Sequence, residues 1–192
     1  MSTHSDPGIT RDEAFSLLKK NLKNDKLIFH CLASEVIMRS LALKLGEDEN
    51  AWGIAGLLHD LDYEITGHDP SQHGLVAAKI LKEKGVSPLI TDVIMKHNAE
   101  ELKLERSSLF EHALTCAETI TGMIVAVALV YPDKKITSVK PKSVTKRMKT
   151  QHFARAVSRE RVAECEKIGI PLNEFVALSL EAMKTIADEI GL

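Results

Sequence analysis

The sequence predicts an all-α protein: a helical bundle with a helical extension at its C-terminal end. Three observations predict it. Apolar residues recur at three- and four-residue spacings along nearly the whole chain, and no segment alternates as a strand does. Aromatic residues make up only 4% of the chain and apolar residues 44%, so the core must be built from Leu, Ile, Val, Ala and Met, which suit packed helices. Capping residues and Gly or Pro stops divide the periodic stretches at helix-like lengths.

The elements follow in order. Thr10 and Glu13 form a capping-box pattern that opens a first helix, reaching about Leu22. A second starts at Asp25 or Lys26 and runs to Leu45, with Phe29, Ala33, Val36, Ile37, Leu41 and Leu45 on its apolar stripe and Gly46 as its stop. A short apolar helix covers Glu49 to His59; Gly53 and Gly56 inside it are close-packing positions rather than a phosphate loop. A loop from Asp62 to Pro70 precedes a fourth helix, Ser71 to Glu83. Pro88 sits in the first turn of a fifth, which ends at His97 or Asn98. Ser107 or Ser108 caps a long sixth to Val130. After a loop from Asp133 to Pro141, a basic helix is expected over Ser143 to Ile168, either continuous or broken near Val157, and then a last helix, capped by Asn173, to Ile190.

Composition excludes several classes. Charged residues at 27% and the apolar content fit a folded globular chain rather than a disordered one. The net charge of −2 gives the whole molecule no pull toward a nucleic-acid polymer. Locally the balance differs: ten Lys or Arg residues stand between Lys134 and Arg161 against a single acid, Glu160. Such a stretch either attracts phosphate or is a solvated helix face. Cys31, Cys116 and Cys165 are odd in number and far apart, so no disulfide framework is expected, and a reducing cytoplasm is the expected compartment. The N-terminus lacks a signal-peptide pattern. Ala113 to Tyr131 carries one charge, Glu118, but its strongly apolar part is short; a buried core helix is expected there, not a membrane span.

The chemistry lies in the histidines. His30, the pair His59–Asp60, His73 and His97 each fall near a helix start or end, beside apolar residues. Imidazole with carboxylate is a ligand set for divalent metals. Glu118 adds to this: a lone carboxylate in an uncharged helix needs a partner. With the basic residues clustered elsewhere, a cation is the economical one; the alternative is a solvated stripe. Asp62 is placed to orient a ligand histidine. Cys116 is read as core filler, and His4, His112 and His152 as ordinary histidines.

Residues 27 to 122 resemble the HD superfamily, particularly the HDIG-type hydrolases. The text that carries the resemblance is Leu27-Ile28-Phe29-His30, then Ala55-Gly56-Leu57-Leu58-His59-Asp60-Leu61-Asp62, then Gln72-His73-Gly74, then Val93-Ile94-Met95-Lys96-His97, and last Ala117-Glu118-Thr119-Ile120-Thr121-Gly122. The resemblance implies an HD-domain-like helical bundle over 24–131, with 132–192 as a helical extension of a single domain, 1–192. It implies one divalent metal ion on His30, His59, Asp60 and Glu118, and a second on His73 and His97 with Asp60 bridging. Glu118 departs from the family, which has Asp there. Iron, manganese or another transition metal suits an imidazole-rich site. Bound water with its pKa lowered from about 15.7 toward roughly 7 would then be the nucleophile on a small phosphorylated substrate, nucleotide-like in kind.

Lys96, with His59 and Asp60, is the expected catalytic set, Lys96 neutralising substrate charge unless it faces solvent. His68 is a candidate substrate contact in the loop after the HD pair, with Asp69 beside it. Lys142, Lys146 and Arg155 are candidates on one face of the basic helix; that face could equally meet a second copy of the chain in a homo-oligomer. A protein of this family that binds a nucleotide or partner in a regulatory role without turnover is the alternative reading, motivated by Glu118.

Overall fold

Residues 6–192 are described in a computed structural model. The expectation for His4 lies outside the described residues. Among them every regular element is helical and no strand forms. The helices are α1 (Arg11–Asn21), α2 (Asp25–Leu45), α3 (Glu49–Leu58), α4 (Leu75–Glu83), α5 (Pro88–Lys96), α6 (Ala99–Leu102), α7 (Leu109–Leu129), α8 (Pro141–Met148), α9 (Arg159–Ala163) and α10 (Leu172–Lys184).

Local sequence explains most boundaries. Thr10 and Glu13 close the capping box at α1, and Ser108 with Glu111 closes another at α7. Asn24 and Asp48 cap α2 and α3 through their side chains. Gly46 ends α2 in the left-handed conformation, at φ 75°.

The long helices α2 and α7 pack on each other and form the spine. α3 lies on α2, α1 and α5 flank α3, and α4 pairs with α5. The approach of α3 to α2 is very close. A Cβ on Gly56 would stand 2.7 Å from the Ser34 carbonyl oxygen, so only glycine lets the two backbones meet there. His30 lies one turn before Ser34, and His59 three residues beyond Gly56. The crossing therefore brings these two rings together. α7 is, among the described residues, the helix long and apolar enough to cross a membrane. However, 67% of that stretch is buried inside the protein, so it is packed as a core helix.

The C-terminal part joins the same core. Phe175, Leu180 and Met183 of α10 are fully buried with α2, and Val144 of α8 and Val162 of α9 are buried as well. All three cysteines are buried free thiols. Burial pushes the Cys31 and Cys116 thiols well above their ordinary range and Cys165 to about 11.

Three expectations need correction. The fourth helix begins at Leu75 rather than Ser71, because residues 69–74 form turns that aim His73. The last helix is entered through Pro171 rather than capped by Asn173, and it closes at Lys184, with turns carrying the chain on to Ile190. The basic helix expected over 143–168 is interrupted, and over the whole of residues 149–158 rather than at a break near Val157. α8 stops at Met148, and α9 is a single short helix from Arg159, followed by a 3-10 turn at Glu164–Glu166. The cause is Arg159. Its guanidinium donates to the carbonyl oxygens of Met148, Thr150, Phe153, Ala154 and Val157, satisfying in one side chain the backbone that a helix would have satisfied internally. Val157 then packs on α7, with its Cγ2 3.1 Å from where a Gly122 Cβ would stand.

Candidate metal centre

The site lies where two helix ends and a turn meet the flanks of α2 and α7. His30 comes from the first half of α2. His59 is the C-cap of α3, and Asp60 follows it. His73 stands in the turn before α4, and His97 is the C-cap of α5. Glu118 lies at mid-length of α7. His30, Asp60, His73, His97 and Glu118 line one cavity of about 300 Å³, together with Tyr63, His68, Asn98 and Arg161, while His59 lies buried behind it.

Asp60 is the hub. Its Oδ1 lies 3.4 Å from His59 Nε2, 3.3 Å from His73 Nε2 and 3.6 Å from His97 Nε2; its Oδ2 lies 3.6 Å from His30 Nε2. Two groups of potential donors result, each within 4.8 Å: His30, His59 and Asp60, and Asp60, His73 and His97.

The other ring nitrogen of each histidine fixes its tautomer. His59 Nδ1–H donates to the Gly56 carbonyl at 2.8 Å, and His97 Nδ1–H to that of Ile94. His73 Nδ1–H donates to Asp62 Oδ1 at 2.8 Å. His30 Nδ1 meets Thr121 Oγ1 at 2.8 Å. The Thr121 hydroxyl already gives its only proton to the Glu118 carbonyl at 2.6 Å, so it accepts from His30. Every Nε2 lone pair is thereby turned inward. His30 Nε2 stands 3.0 Å from His59 Nε2, and His73 Nε2 stands 2.9 Å from His97 Nε2. Two bare lone pairs repel at that range unless a proton or a cation stands between them. The donor set of four imidazoles around one carboxylate fits a divalent transition ion.

The electrostatics of the cluster follow from this geometry. Burial pushes His59 down to about 3, so it is neutral at physiological pH. Burial alone would raise Asp60, but the surrounding imidazoles hold its carboxyl well below the usual range. Burial likewise opposes the charge on His73, yet Asp60 and Asp62 outweigh it and raise this imidazole to about 9. His73 therefore carries a proton at pH 7 when no cation is bound, and a cation must expel it. Divalent-ion affinity at the His73 group is expected to rise about tenfold per pH unit from pH 7, and to level off near pH 9. Calorimetric Mn²⁺ titrations across that range, in buffers of different ionisation heat, would count the released proton. A flat affinity would contradict this account.

The structure separates the remaining expectations. Asp62 is wholly buried and holds His73, as a ligand-orienting partner should. His68 does line the cavity, with its ring edge-on to Tyr63 at 4.5 Å. Lys96 does not. Its Nζ is committed to Glu111 at 2.8 Å, tying the end of α5 to the start of α7, so the expectation of a catalytic lysine is corrected. Lys142 and Lys146 of α8 line other surface hollows, and Arg155 is exposed beside His152. All three were placed by assuming a continuous helix. His112 is held by Glu164 at 2.7 Å, inside a network with Arg106.

Glu118 is neither solvated nor without a cation. Its side chain is 13% exposed, and Oε1 is paired with Arg161 Nη2 at 2.6 Å. The premise that no basic residue reaches it is corrected. Its Oε2 lies 3.9 Å from His30 Nε2, at the edge of the first group. Arg161, Thr121 and Asn98 went unnoticed as site residues in the sequence. The signal for Arg161 was the basic stretch itself; the segment's fold decided which of its residues turns inward.

A helical bundle with imidazoles converging on a shared aspartate has the donor set of a divalent-metal site. The HD domain family model matches residues 27–128, more than half of the chain, and the chain belongs to this family of metal-dependent hydrolases. It is 24% identical over 99 residues to a Ribonuclease Y of Opitutus terrae, a match covering 52% of this chain and 18% of that protein. It is 24% identical over 164 residues to a Ribonuclease Y of Sulfurovum sp., covering 84% of this chain and 32% of that protein. The chain thus spans no more than about a third of the length of these curated relatives. No solved structure matches it.

Proposed function

We propose that this chain hydrolyses a phosphoester of a small phosphorylated, nucleotide-like substrate, using one or two divalent transition ions. The observation that supports it most is the inward convergence of four tautomer-fixed Nε2 atoms on Asp60. His30, His59 and Asp60 would hold one ion, with Glu118 Oε2 at its edge, and Asp60, His73 and His97 would hold the other. Iron or manganese suits these nitrogen donors better than magnesium. Such ions supply a water nucleophile at neutral pH and positive charge for phosphoryl oxygens. Asp62, Thr121 and the Gly56 and Ile94 carbonyls keep the imidazoles in one orientation. His68 and Tyr63 stand at the mouth, where the rest of the substrate would lie.

A second reading has its own support. The relatives bear the name Ribonuclease Y, and Lys142, Lys146 and Lys149 are exposed on or beside α8. RNA would then be the phosphoester.

Protein purified without chelator is expected to hold one to two transition ions per chain by elemental analysis. With Mn²⁺, Fe²⁺, Co²⁺ or Ni²⁺ supplied, it should release phosphate from members of a nucleotide panel. Cleavage of an oligoribonucleotide with mononucleotides untouched would favour the second reading. Metal held with no turnover on either would favour a binding role. Protein that takes up none of these ions would end all metal-dependent readings.

A further inference from the structure

We propose that Arg161 binds the anionic phosphate group of the substrate, which makes the segment beyond the family region part of the working site; the inference rests on the metal-dependent reading above.

A phosphate that approaches two metal ions still presents oxygens the ions cannot cover, and a guanidinium is the side chain best shaped for them. Among the described residues lining the cavity, Arg161 is the only Lys or Arg. The other nearby cations are committed: Lys96 to Glu111, Arg106 to Glu164 and Glu100, and Arg159 to its ring of carbonyls.

Arg161 itself is half-committed. Its Nη2 donates to Glu118 Oε1 and to the His97 carbonyl, each at 2.6 Å. These bonds fix the guanidinium against both metal groups at once, since His97 belongs to one and Glu118 borders the other. Its Nε is buried and has no hydrogen-bond partner. A buried donor on a charged group without a partner is costly and rare in a folded protein. The Nε is sealed from the cavity, but Nη1 is neither hydrogen-bonded within the protein nor buried, and the side chain is 28% exposed where it lines the cavity. A phosphate oxygen would meet Nη1 there, on a guanidinium that Glu118 and His97 already hold.

The sequence makes this placement by an indirect route. Arg159 closes residues 148–157 into a compact turn, Val157 seats that turn against Gly122 of α7, and Ser158 caps α9. Arg161 is then carried to the cavity wall in the first turn of α9. The family match ends at residue 128, so this residue comes from outside it.

The test uses the full chain loaded with Mn²⁺ and inorganic phosphate as the probe. Arg161→Gln should weaken phosphate binding in calorimetry by about tenfold or more, the loss expected for a charge-assisted hydrogen-bond pair, with Mn²⁺ content unchanged. Arg161→Lys, which keeps the charge and loses the fork, should fall between. Because a variant can fail to fold, wild-type protein should also be labelled with phenylglyoxal and mapped by mass spectrometry; phosphate should protect Arg161. Unchanged phosphate affinity in Arg161→Gln at full Mn²⁺ content, or labelling indifferent to phosphate, would overturn the inference while leaving the metal reading intact. Lower Mn²⁺ content with normal phosphate affinity in the loaded fraction would reduce Arg161 to a positioner of Glu118 and also overturn it. Wild-type protein that binds no Mn²⁺ would remove the metal reading and this inference together.

Discussion

Asp60→Ala is expected to strip the protein of metal entirely and to abolish turnover, whereas loss of any one histidine should remove an ion from one group only. The reason is its place in both donor groups: Oδ1 serves three imidazoles and Oδ2 the fourth. Asp60→Asn should behave in the same way although it keeps the shape, because an amide lacks the anionic oxygens needed to bridge two cations. His97→Ala supplies the contrast, leaving His30, His59 and Asp60 in place. Elemental analysis of the three variants beside wild type, with phosphate release as a second readout, decides the matter. Asp60→Ala protein carrying the wild-type complement of ions would show that Asp60 is no bridge.

The second large effect is expected at Asp62, through stability. This carboxylate is fully buried and serves three donors: His73 Nδ1 at 2.8 Å, Gly74 N at 2.9 Å and Ala77 N at 2.8 Å. Gly74, with φ 87°, is the N-cap of α4 and has no side chain to cap with. Asp62 therefore caps that helix from a distance, where a negative charge also suits the helix dipole. Asp62→Ala leaves all three donors buried and bare. The cost should be about 3–5 kcal/mol, within the range for breaking a buried charged cluster. The melting temperature should drop by on the order of 10 °C. Asp62→Asn, which keeps one good acceptor, should lose less. Because His73 then loses its fixed tautomer, the ion on the His73 group should be lost before the other. Thermal melts of metal-free protein together with metal counts would test both parts; a melting temperature within about 2 °C of wild type would refute the capping role.

Much of this arrangement could be read from the chain alone, for identifiable reasons. Thr10–Glu13 and Ser108 fix their helix starts because capping is a local interaction a few residues long. His30, His59, Asp60, His73 and His97 were legible as a set because each lies in or near the end of a helical stretch beside apolar residues, and the structure brings all five into two clusters that share Asp60. What stayed hidden depends on contacts distant in sequence. Nothing near Glu118 in the chain announces Arg161, 43 positions later. The apparent helical face carrying Lys142, Lys146 and Arg155 dissolves because one guanidinium takes five carbonyls that periodicity would assign to a helix. Lys96 sits beside His97 in sequence, yet successive helical residues point about 100° apart, so it turns to Glu111 instead.

The carbonyl ring around Arg159 has a consequence for how the molecule breathes. Residues 148–157 keep only isolated turn bonds, Phe153 N–H to the Thr150 carbonyl and Val157 N–H to that of Ala154, and the Arg159 side chain gathers the carbonyls of the segment. Such a stretch can open as a separate cooperative unit at lower free energy than the bundle. Each opening would release Val157 from Gly122 and free the Arg159 guanidinium, while Arg161 stays tied to Glu118 and His97, and buried Val162 keeps α9 on α7. The loosest piece of the molecule thus lies behind the pocket wall rather than in it, and its excursions would reach the imidazoles only through α9.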